Sequence, residues 1–339
     1  MSFENIKLEK GMYGVCDKSF TNVLESLDPS EDYRGTELEG LDAYQRQLKR
    51  FGIKVAGAGA HIVDKFFQCS ESAVLFPEFI SRGIKKGMEI NNVIPEIIST
   101  KVITNGIDYR PLQTDAESVS SNAVSEAGTL SQISIRNDTS VIKLKKYGHV
   151  LSTSYEALRL QNLEVISVIL RRIGMSFVNY QLKELVNALD SYSTTTVSSL
   201  TYDSMLTLWK NLKPYTMNVI LCSYKTAKDL LSLTEFRDSN AGLDFHGTGK
   251  LINPLGAKIV CTNNITDDLV VGFDKAFAFQ MLQMGDLVVD YNKIIDKQLE
   301  NSSISLTFAF FKMLSGSVKG LNYSSSTQTN SKNSRRSSK

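Results

Sequence analysis

The sequence has few of the residues that cross-link chains, bind metals or cross membranes. Its cysteines are widely separated, with no CxxC pair and no histidine cluster beside them: Cys16, Cys69, Cys222 and Cys261. This spacing indicates neither a zinc site nor a disulfide framework, and it fits a reducing cytosol. The N-terminus lacks the basic start and apolar run of a signal peptide, and no stretch of about 18 apolar residues occurs anywhere. We therefore expect a protein made and kept inside a cell, with no membrane partner.

An excess of charge of one sign is also lacking. The 339 residues include 38 Lys and Arg against 36 Asp and Glu, which gives a formal net charge of +2. Tight nucleic-acid binding by the whole chain is not expected, because phosphate-neutralising proteins carry a dense basic surface. What is present is an ordinary globular composition, 42% hydrophobic and 22% charged. It is sufficient for a sizeable core in one large domain or two smaller ones.

No enzyme motif is complete. Residues 247–250 (GTGK) are similar to part of a phosphate-binding loop, but Asp244 stands where that motif needs glycine and Leu251 where it needs Ser or Thr. The glycines of residues 55–60 are too close together for a dinucleotide loop and suit a hinge. The histidines are far apart and lie beside no nucleophile or zinc signature: His61, His149 and His246. We expect no catalytic, cofactor or metal site.

The N-terminal part of the chain is polar over its first 40 residues, with a charged turn at residues 28–32. This composition predicts an arm rather than a core element. An amphipathic helix that ends near Gly52 follows it, and its apolar residues lie at helical spacing: Leu41, Tyr44, Leu48 and Phe51.

A second polar segment, residues 104–140, is rich in Ser, Thr, Asn and Asp and lies between two strand-like runs. The preceding residues predict a helix through Met88 and a strand over 93–102. A polar segment this long is unusual inside a compact domain, so the pattern favours a projecting two-stranded loop.

The strongest helix signal begins at Thr153, where residues 153–156 match a capping box. It predicts one helix over 154–189, roughly 54 Å long at about 1.5 Å per residue, which is typical of a scaffold strut. Its apolar face steps by three and four residues: Leu163, Ile166, Leu170, Ile173 and Phe177.

The rest of the chain predicts a mixed structure. Residues 201–295 alternate between helix and strand patterns, as in a compact second domain. Residues 303–313 form a β-rich apolar run, whereas residues 324–339 contain no core-forming side chain and predict a disordered tail. The fold class expected from this order is α+β.

The order of these elements resembles the shell proteins of tailed phages, the Hong Kong 97 type. Local stretches are similar too: 146–158, which leads from loop to long helix, 247–256 before a strand, and 272–278 (GFDKAFA). The resemblance covers about residues 41–320. Because each stretch alone is a weak match, the resemblance rests on the order of the elements.

The resemblance implies a Hong Kong 97-type capsid fold with an N-terminal arm, extended β-hairpin loop, long spine helix, peripheral domain and axial domain. The implied segments are an arm at 1–74, a peripheral domain from 75–103, 146–189 and 296–320, an extended loop at 104–145, an axial domain at 190–295, and a basic tail at 321–339.

The resemblance also implies the function of a major capsid protein. Such a protein assembles with itself, as hexamers and pentamers, into an icosahedral head that encloses double-stranded DNA, and it is built in the host cytoplasm. A portal protein is an expected partner. Since only about 70 residues precede the peripheral strands, in place of a longer cleaved scaffolding domain, a separate scaffold protein is expected.

Contacts between subunits are expected on the loop and on the helix of the arm (Leu41, Tyr44, Leu48 and Phe51). No lysine lies between Lys101 and Lys143, which predicts a shell without the loop cross-links of some relatives. Charged loop residues are candidates for ion pairs with a neighbour, with a solvated surface as the alternative: Arg110, Asp115, Glu117, Glu126, Arg136 and Asp138.

Three questions stay open at this point. The four cationic residues of the tail either touch packaged DNA or keep the tail solvated. An encapsulin-like nanocompartment, which encloses an enzyme instead of a genome, is the nearest alternative function. A soluble α/β enzyme is the alternative from another class, and it requires titratable groups that converge around residues 201–295.

Overall fold

The computed structural model describes residues 3–14, 19–90, 92–114, 123–189, 192–237 and 256–323. Its α-helices are α1 (Phe20–Leu27), α2 (Ala43–Arg50), α3 (Ser70–Ala73), α4 (Phe76–Ile90), α5 (Ile94–Ile97), α6 (Tyr155–Arg159), α7 (Leu163–Asn187), α8 (Tyr202–Asn211), α9 (Tyr224–Leu231) and α10 (Thr234–Arg237). Its strands are β1 (Thr100–Thr104), β2 (Asp108–Tyr109), β3 (Leu112–Thr114), β4 (Ile135–Asn137), β5 (Ile142–Lys143), β6 (Lys145–Ser154), β7 (Ser193–Val197), β8 (Val219–Cys222), β9 (Lys258–Cys261), β10 (Leu269–Phe273), β11 (Phe279–Ile294), β12 (Leu299–Lys312) and β13 (Val318–Tyr323).

A four-stranded sheet in the order β1-β11-β12-β6 lies beneath α4 and α7. Strands β11 and β12 form a long antiparallel hairpin, and β1 adds to its edge in parallel. The axial domain expected over residues 190–295 would include β11. In the structure, β11 pairs with β1 and β12 in the four-stranded sheet. In the outer half of β11, apolar and polar residues alternate only weakly. The sequence pattern therefore did not indicate that this segment forms a hairpin.

A five-stranded sheet has the order β7-β13-β10-β8-β9. Alternate residues of β8 point to opposite faces: Ile220 packs with α8 and α9, whereas Val219 and Leu221 join the main core. Strand β13 belongs here through antiparallel pairing with β10, although the prediction grouped residues 296–320 with the peripheral segment. The last two strands of the described chain therefore lie in different sheets.

Helix α7 carries the predicted core face, since Leu163, Leu170 and Phe177 are fully buried. It crosses α4 so closely that a Cβ atom on Gly174 would overlap the backbone of Ile84, and one on Gly87 would overlap Arg171. Gly174 interrupts good helix formers in the sequence, and this crossing is its structural reason.

The predicted single helix over 154–189 is divided in the structure. Helix α6 is capped by Ser154, and α7 starts again after Asn162, whose side chain accepts from the Glu164 amide at 2.8 Å. Between them the backbone pairs with the arm, through a hydrogen bond from Leu163 N to His61 O of 2.9 Å. These arm contacts replace the helical hydrogen bonds at the break.

The strand predicted over 93–102 is also shorter than expected. Residues Ile94–Ile97 form helix α5 with Pro95 in its first turn, and the strand begins at Thr100. The backbone N–H groups of a first helical turn have no acceptor within the helix, so proline, which has no N–H, is tolerated there. This explains why the apolar run forms a short helix before the strand begins.

The N-terminal arm differs most from expectation. Ile6, Leu8, Phe20 and Leu24 are buried in the main core, so this segment is part of the folded body. It contains a buried ion pair: the Arg46 side chain is 0% exposed, and its Nε lies 2.6 Å from Asp28 Oδ2. Asp28, one of the charged residues that favoured a free arm, is therefore engaged inside the folded body.

Candidate intersubunit surfaces

The extended loop projects from the four-stranded sheet on two short antiparallel ladders. Strand β2 pairs with β5 near the base, and β3 pairs with β4 farther out. Main-chain hydrogen bonds at Leu144 N to Ile107 O and Asp138 N to Pro111 O join its two arms. The hydrophobic cluster of the described loop residues lies at the base, where Leu144 contacts Leu282 and Ala309. This geometry confirms the projecting two-stranded loop.

The described part of this loop exposes large apolar side chains beyond its base. Leu130 is 77% exposed, Ile135 69% and Leu112 65%. Further exposed members are Ile107, Val124, Ile133 and Val141. Several exposed large apolar side chains on one projecting element are typical of a surface that another chain covers. The sequence interpretation identified the polar segment and its charged residues and did not identify these apolar residues as contacts.

The charged residues predicted as contacts are placed differently from one another. Arg110, Glu126 and Arg136 are exposed on the loop. Their ion pairs with a neighbouring subunit therefore stay a prediction. The Asp138 carboxylate accepts a 2.9 Å hydrogen bond from the Ser140 amide, and this bond lowers the pKa of Asp138. The Asp138 carboxylate is thus hydrogen-bonded within its own turn. Asp115 and Glu117 lie outside the described residues.

Helix α7 has a second apolar face that the sequence interpretation missed. Val165, Val168 and Ile169, here called the α7 stripe, are 46 to 57% exposed and lie on the side away from the core. A cavity of about 310 Å³ between α7 and β6 continues this surface, lined partly by Val150 and Ile173. Valine and isoleucine on both faces of one helix is the sequence signal that could have indicated it.

A buried carboxylate ties the loop to α7. Glu184, with a side chain 8% exposed, lies 2.9 Å from Lys145 Nζ at the start of β6 and accepts from Tyr147 Oη at 2.5 Å. Asn187 donates to the same carboxylate at 3.0 Å. Burial opposes the charged form, but these hydrogen bonds outweigh it and lower the pKa of Glu184. The return side of the loop is thereby fixed to the long helix.

The amphipathic helix of the arm, α2, packs inward rather than toward a neighbour. Tyr44 and Leu48 are buried in the core of the same chain, so little of either side chain remains exposed for the predicted contact with another subunit. Leu41 and Phe51 are half-buried, and Phe51 packs against that core as well. An apolar face at helical spacing indicates that the face is buried, but the spacing does not indicate whether the covering surface belongs to the same chain.

The end of the arm is held by a charged cluster. The Phe67 ring contacts two cations: the guanidinium of Arg159 lies 5.2 Å from the ring centroid, and the Lys293 ammonium lies 4.8 Å from it. Beneath them the buried Glu300 carboxylate lies 3.2 Å from Arg159. Cation–π contacts of this kind join the arm, α6 and the β11–β12 hairpin.

The described ranges contain neither a metal-binding cluster nor a membrane-spanning helix. No group of three or more His, Cys, Asp or Glu side chains there is placed to hold a metal ion. No helix in the same ranges is long and apolar enough to cross a bilayer. The GTGK segment at 247–250 and His246 lie outside them.

Comparison with solved structures places this geometry among capsid proteins. The capsid of a native GTA particle matches 68% of this chain and 90% of its own, with a TM-score of 0.52 and 15% identity. A virus-like particle from Pyrococcus furiosus matches 72% of this chain and 98% of its own, with a TM-score of 0.52 and 11% identity. The chain has a Hong Kong 97-type capsid fold. The predicted fold class, α+β, is thereby confirmed.

The capsid of an empty GTA particle is similar in the same way, with a TM-score of 0.52 and 13% identity over 68% of this chain. No protein-family model and no curated protein matches the sequence. The Hong Kong 97-type fold is thus recognisable here from geometry and element order.

Proposed function

We propose that this protein is the major capsid protein of a tailed phage and that it assembles with copies of itself into an icosahedral shell. One observation carries this proposal: the extended loop of a Hong Kong 97-type fold exposes Leu112, Leu130 and Ile135, and little of the same chain covers them. The similar GTA capsids and the virus-like particle support it at the level of fold.

Assembly would cover the exposed apolar surfaces. We propose that the loop of one subunit lies over the α7 stripe and Val150 of its neighbour, since both surfaces are apolar and both project from the same sheet-and-helix layer. Burial of each Leu, Ile or Val side chain contributes about 1.5–3 kcal/mol. Ion pairs of Arg110, Glu126 or Arg136 across such an interface contribute less, about 0–1 kcal/mol each.

The two sheets correspond, in this proposal, to the two domains of the shell subunit. The four-stranded sheet with α4 and α7 forms the peripheral domain, and the five-stranded sheet with α8 and α9 forms the axial domain. Ring closure then follows from head-to-tail contacts around the five- and six-fold positions. A structural role follows, with no catalytic step assigned.

The partners in this proposal are further copies of the chain, a separate scaffold protein, a portal protein and enclosed double-stranded DNA. The protein would be assembled in the host cytoplasm and reside in the virion. A non-covalent shell is proposed because no lysine lies between Lys101 and Lys143 on the loop.

Negative-stain electron microscopy and light scattering of the expressed protein, with and without a candidate scaffold, test the proposal. Closed icosahedral particles, rings or tubes are expected. A small species of constant mass under every condition would contradict it. The contents of native particles separate the two shell functions, because nucleic acid supports a capsid and an enclosed enzyme supports an encapsulin-like compartment.

A further inference from the structure

Two of the cysteines come together at one edge of the five-stranded sheet. Cys222 ends β8 and Cys261 ends β9, and the parallel register of these strands pairs them directly. The Thr262 amide donates to Cys222 O at 3.0 Å, so the strands remain hydrogen-bonded at this point. In the sequence the two residues are far apart, and only the fold makes them neighbours.

Both thiols point to the same face of the sheet. Cys222 is fully buried in the cluster formed with α8 and α9, and Cys261 packs against that cluster from a half-exposed position. Adjacent strands lie about 4.7–4.9 Å apart. That spacing falls within the range of about 4.4–6.8 Å between Cα atoms that a disulfide requires.

We propose that Cys222 and Cys261 form a redox-sensitive dithiol, which closes to a reversible disulfide when it meets a low-molecular-weight disulfide such as oxidised glutathione. The Cys261 thiolate attacks one sulfur of the small disulfide and releases one thiolate, which leaves a mixed disulfide. The Cys222 thiolate then attacks the Cys261 sulfur and releases the second. The two cysteines are oxidised and the small disulfide is reduced, and the two protons lost by Cys222 and Cys261 pass through water or buffer to the two released thiolates, which become thiols.

The order of attack follows from the surroundings of the two sulfurs. Cys261 is the reachable one, and a hydrogen bond from the Cys222 thiol lowers the pKa of Cys261, although burial opposes this shift. The same hydrogen bond, together with burial, raises the pKa of Cys222. Cys261 is therefore the attacking thiol and Cys222 the resolving one.

The expected consequence is local. Among the described strands, β9 lies at the end of the five-stranded sheet and pairs with β8 alone, so a covalent link to Cys222 would fasten this edge strand. Strands of one sheet leave little freedom to adjust to a new bond, and a constrained disulfide is easily reduced. The link is thus expected to open again with dithiothreitol.

The test uses the full chain with Cys16→Ser and Cys69→Ser, which leaves only this pair. Serine at position 69 preserves the cap of α3, where the Cys69 sulfur now accepts from the Ser72 amide. After incubation of the folded protein with oxidised glutathione, both remaining thiols should be lost and the mass should fall by about 2 Da. A proteolytic digest should contain the peptide joined through Cys222 and Cys261.

Two further variants distinguish the steps. With Cys222→Ala in this background, the reaction should stop at a glutathione adduct on Cys261. With Cys261→Ser, the buried Cys222 should stay unmodified. A folded two-cysteine protein that keeps both thiols, or that stops at the adduct and cross-links only in denaturant, would overturn the proposal. These readouts do not depend on whether the protein assembles.

Discussion

The N-terminal arm and the extended loop both appear polar in the sequence, yet the apolar residues of the arm are buried and those of the outer loop are exposed. The arm places Phe20, Leu24 and Tyr44 in the core of its own chain and pairs Arg46 with Asp28 inside it. The loop leaves Leu130 and Ile135 in solvent. The arm therefore belongs to the folded subunit, whereas the loop has an apolar surface that a second subunit is proposed to cover.

The largest effect is expected at the buried ion pair of the arm. Arg46→Ala leaves the Asp28 carboxylate buried without its partner, which should lower the free energy of unfolding by about 3–5 kcal/mol. Urea denaturation followed by circular dichroism measures the loss. Lys49→Ala is the matched control on the same helix: its side chain is exposed, so a change of less than about 0.5 kcal/mol is expected. A change that small for Arg46→Ala as well would mean that the buried ion pair does not hold the arm in the fold.

The next effect concerns assembly and not folding. Leu130→Ser with Ile135→Ser removes two exposed side chains from the loop, each of which contributes about 1.5–3 kcal/mol when a neighbour buries it. Light scattering should show that particles no longer form, while the unfolding temperature of the dissociated subunit stays unchanged. Gln132→Ser, an exposed polar change in the same loop, should assemble normally. A lower unfolding temperature for the double variant would show that these residues pack within their own chain.

A smaller and pH-dependent effect is expected where the loop is fixed to α7. Because the pKa of Glu184 is lowered in the folded state, its charge stabilises the protein above the unfolded pKa of about 4.3. That contribution is lost as the pH falls through the lower folded value. Glu184→Gln keeps the hydrogen bond from Tyr147 but loses the ion pair with Lys145, at a cost of about 1 kcal/mol at neutral pH.

The difference in unfolding free energy between wild type and Glu184→Gln should therefore shrink between pH 5 and about pH 3, as measured by urea titrations at each pH. Glu89→Gln changes an exposed carboxylate on α4 and serves as the control. A difference for Glu184→Gln that stays constant with pH would show that this carboxylate does not fix the loop through its charge.

The smallest effect is expected for the charged loop residues. Arg110→Ala or Arg136→Ala should weaken assembly by about 0–1 kcal/mol per contact, because exposed ion pairs are screened by water and salt. The critical protein concentration for assembly, measured at low and high salt, reports this change. A loss as large as that of the apolar double variant would mean that ion pairs, and not apolar burial, hold the loop.

The local elements were more predictable than their pairing. The α7 core face follows from side-chain spacing, and the projecting loop follows from its length and polarity. The division of the long helix was not predictable, because residues 160–162 leave the helix to pair with the arm, which is a contact distant in sequence. The same holds for β11, whose partners β1 and β12 are identified by register and not by composition.

The candidate surfaces were predicted only in outline. The loop as a whole was identified, but charged residues were chosen there and the exposed Leu130 and Ile135 were not. Helical spacing identified Tyr44 and Leu48 as an apolar face, and the surface that covers this face belongs to the same chain. Sequence spacing reports which side chains need to be buried, whereas the position of the covering surface depends on the complete fold.

Hydrogen exchange measured by mass spectrometry on dissociated subunits and on assembled particles compares the two regions most directly. The account predicts that amides of α1 and α2 in the arm are protected in both states, whereas amides of the described outer loop, residues 112–114 and 123–137, become protected only in particles. Loop amides that are equally protected in the dissociated subunit, or arm amides that gain protection only on assembly, would contradict it.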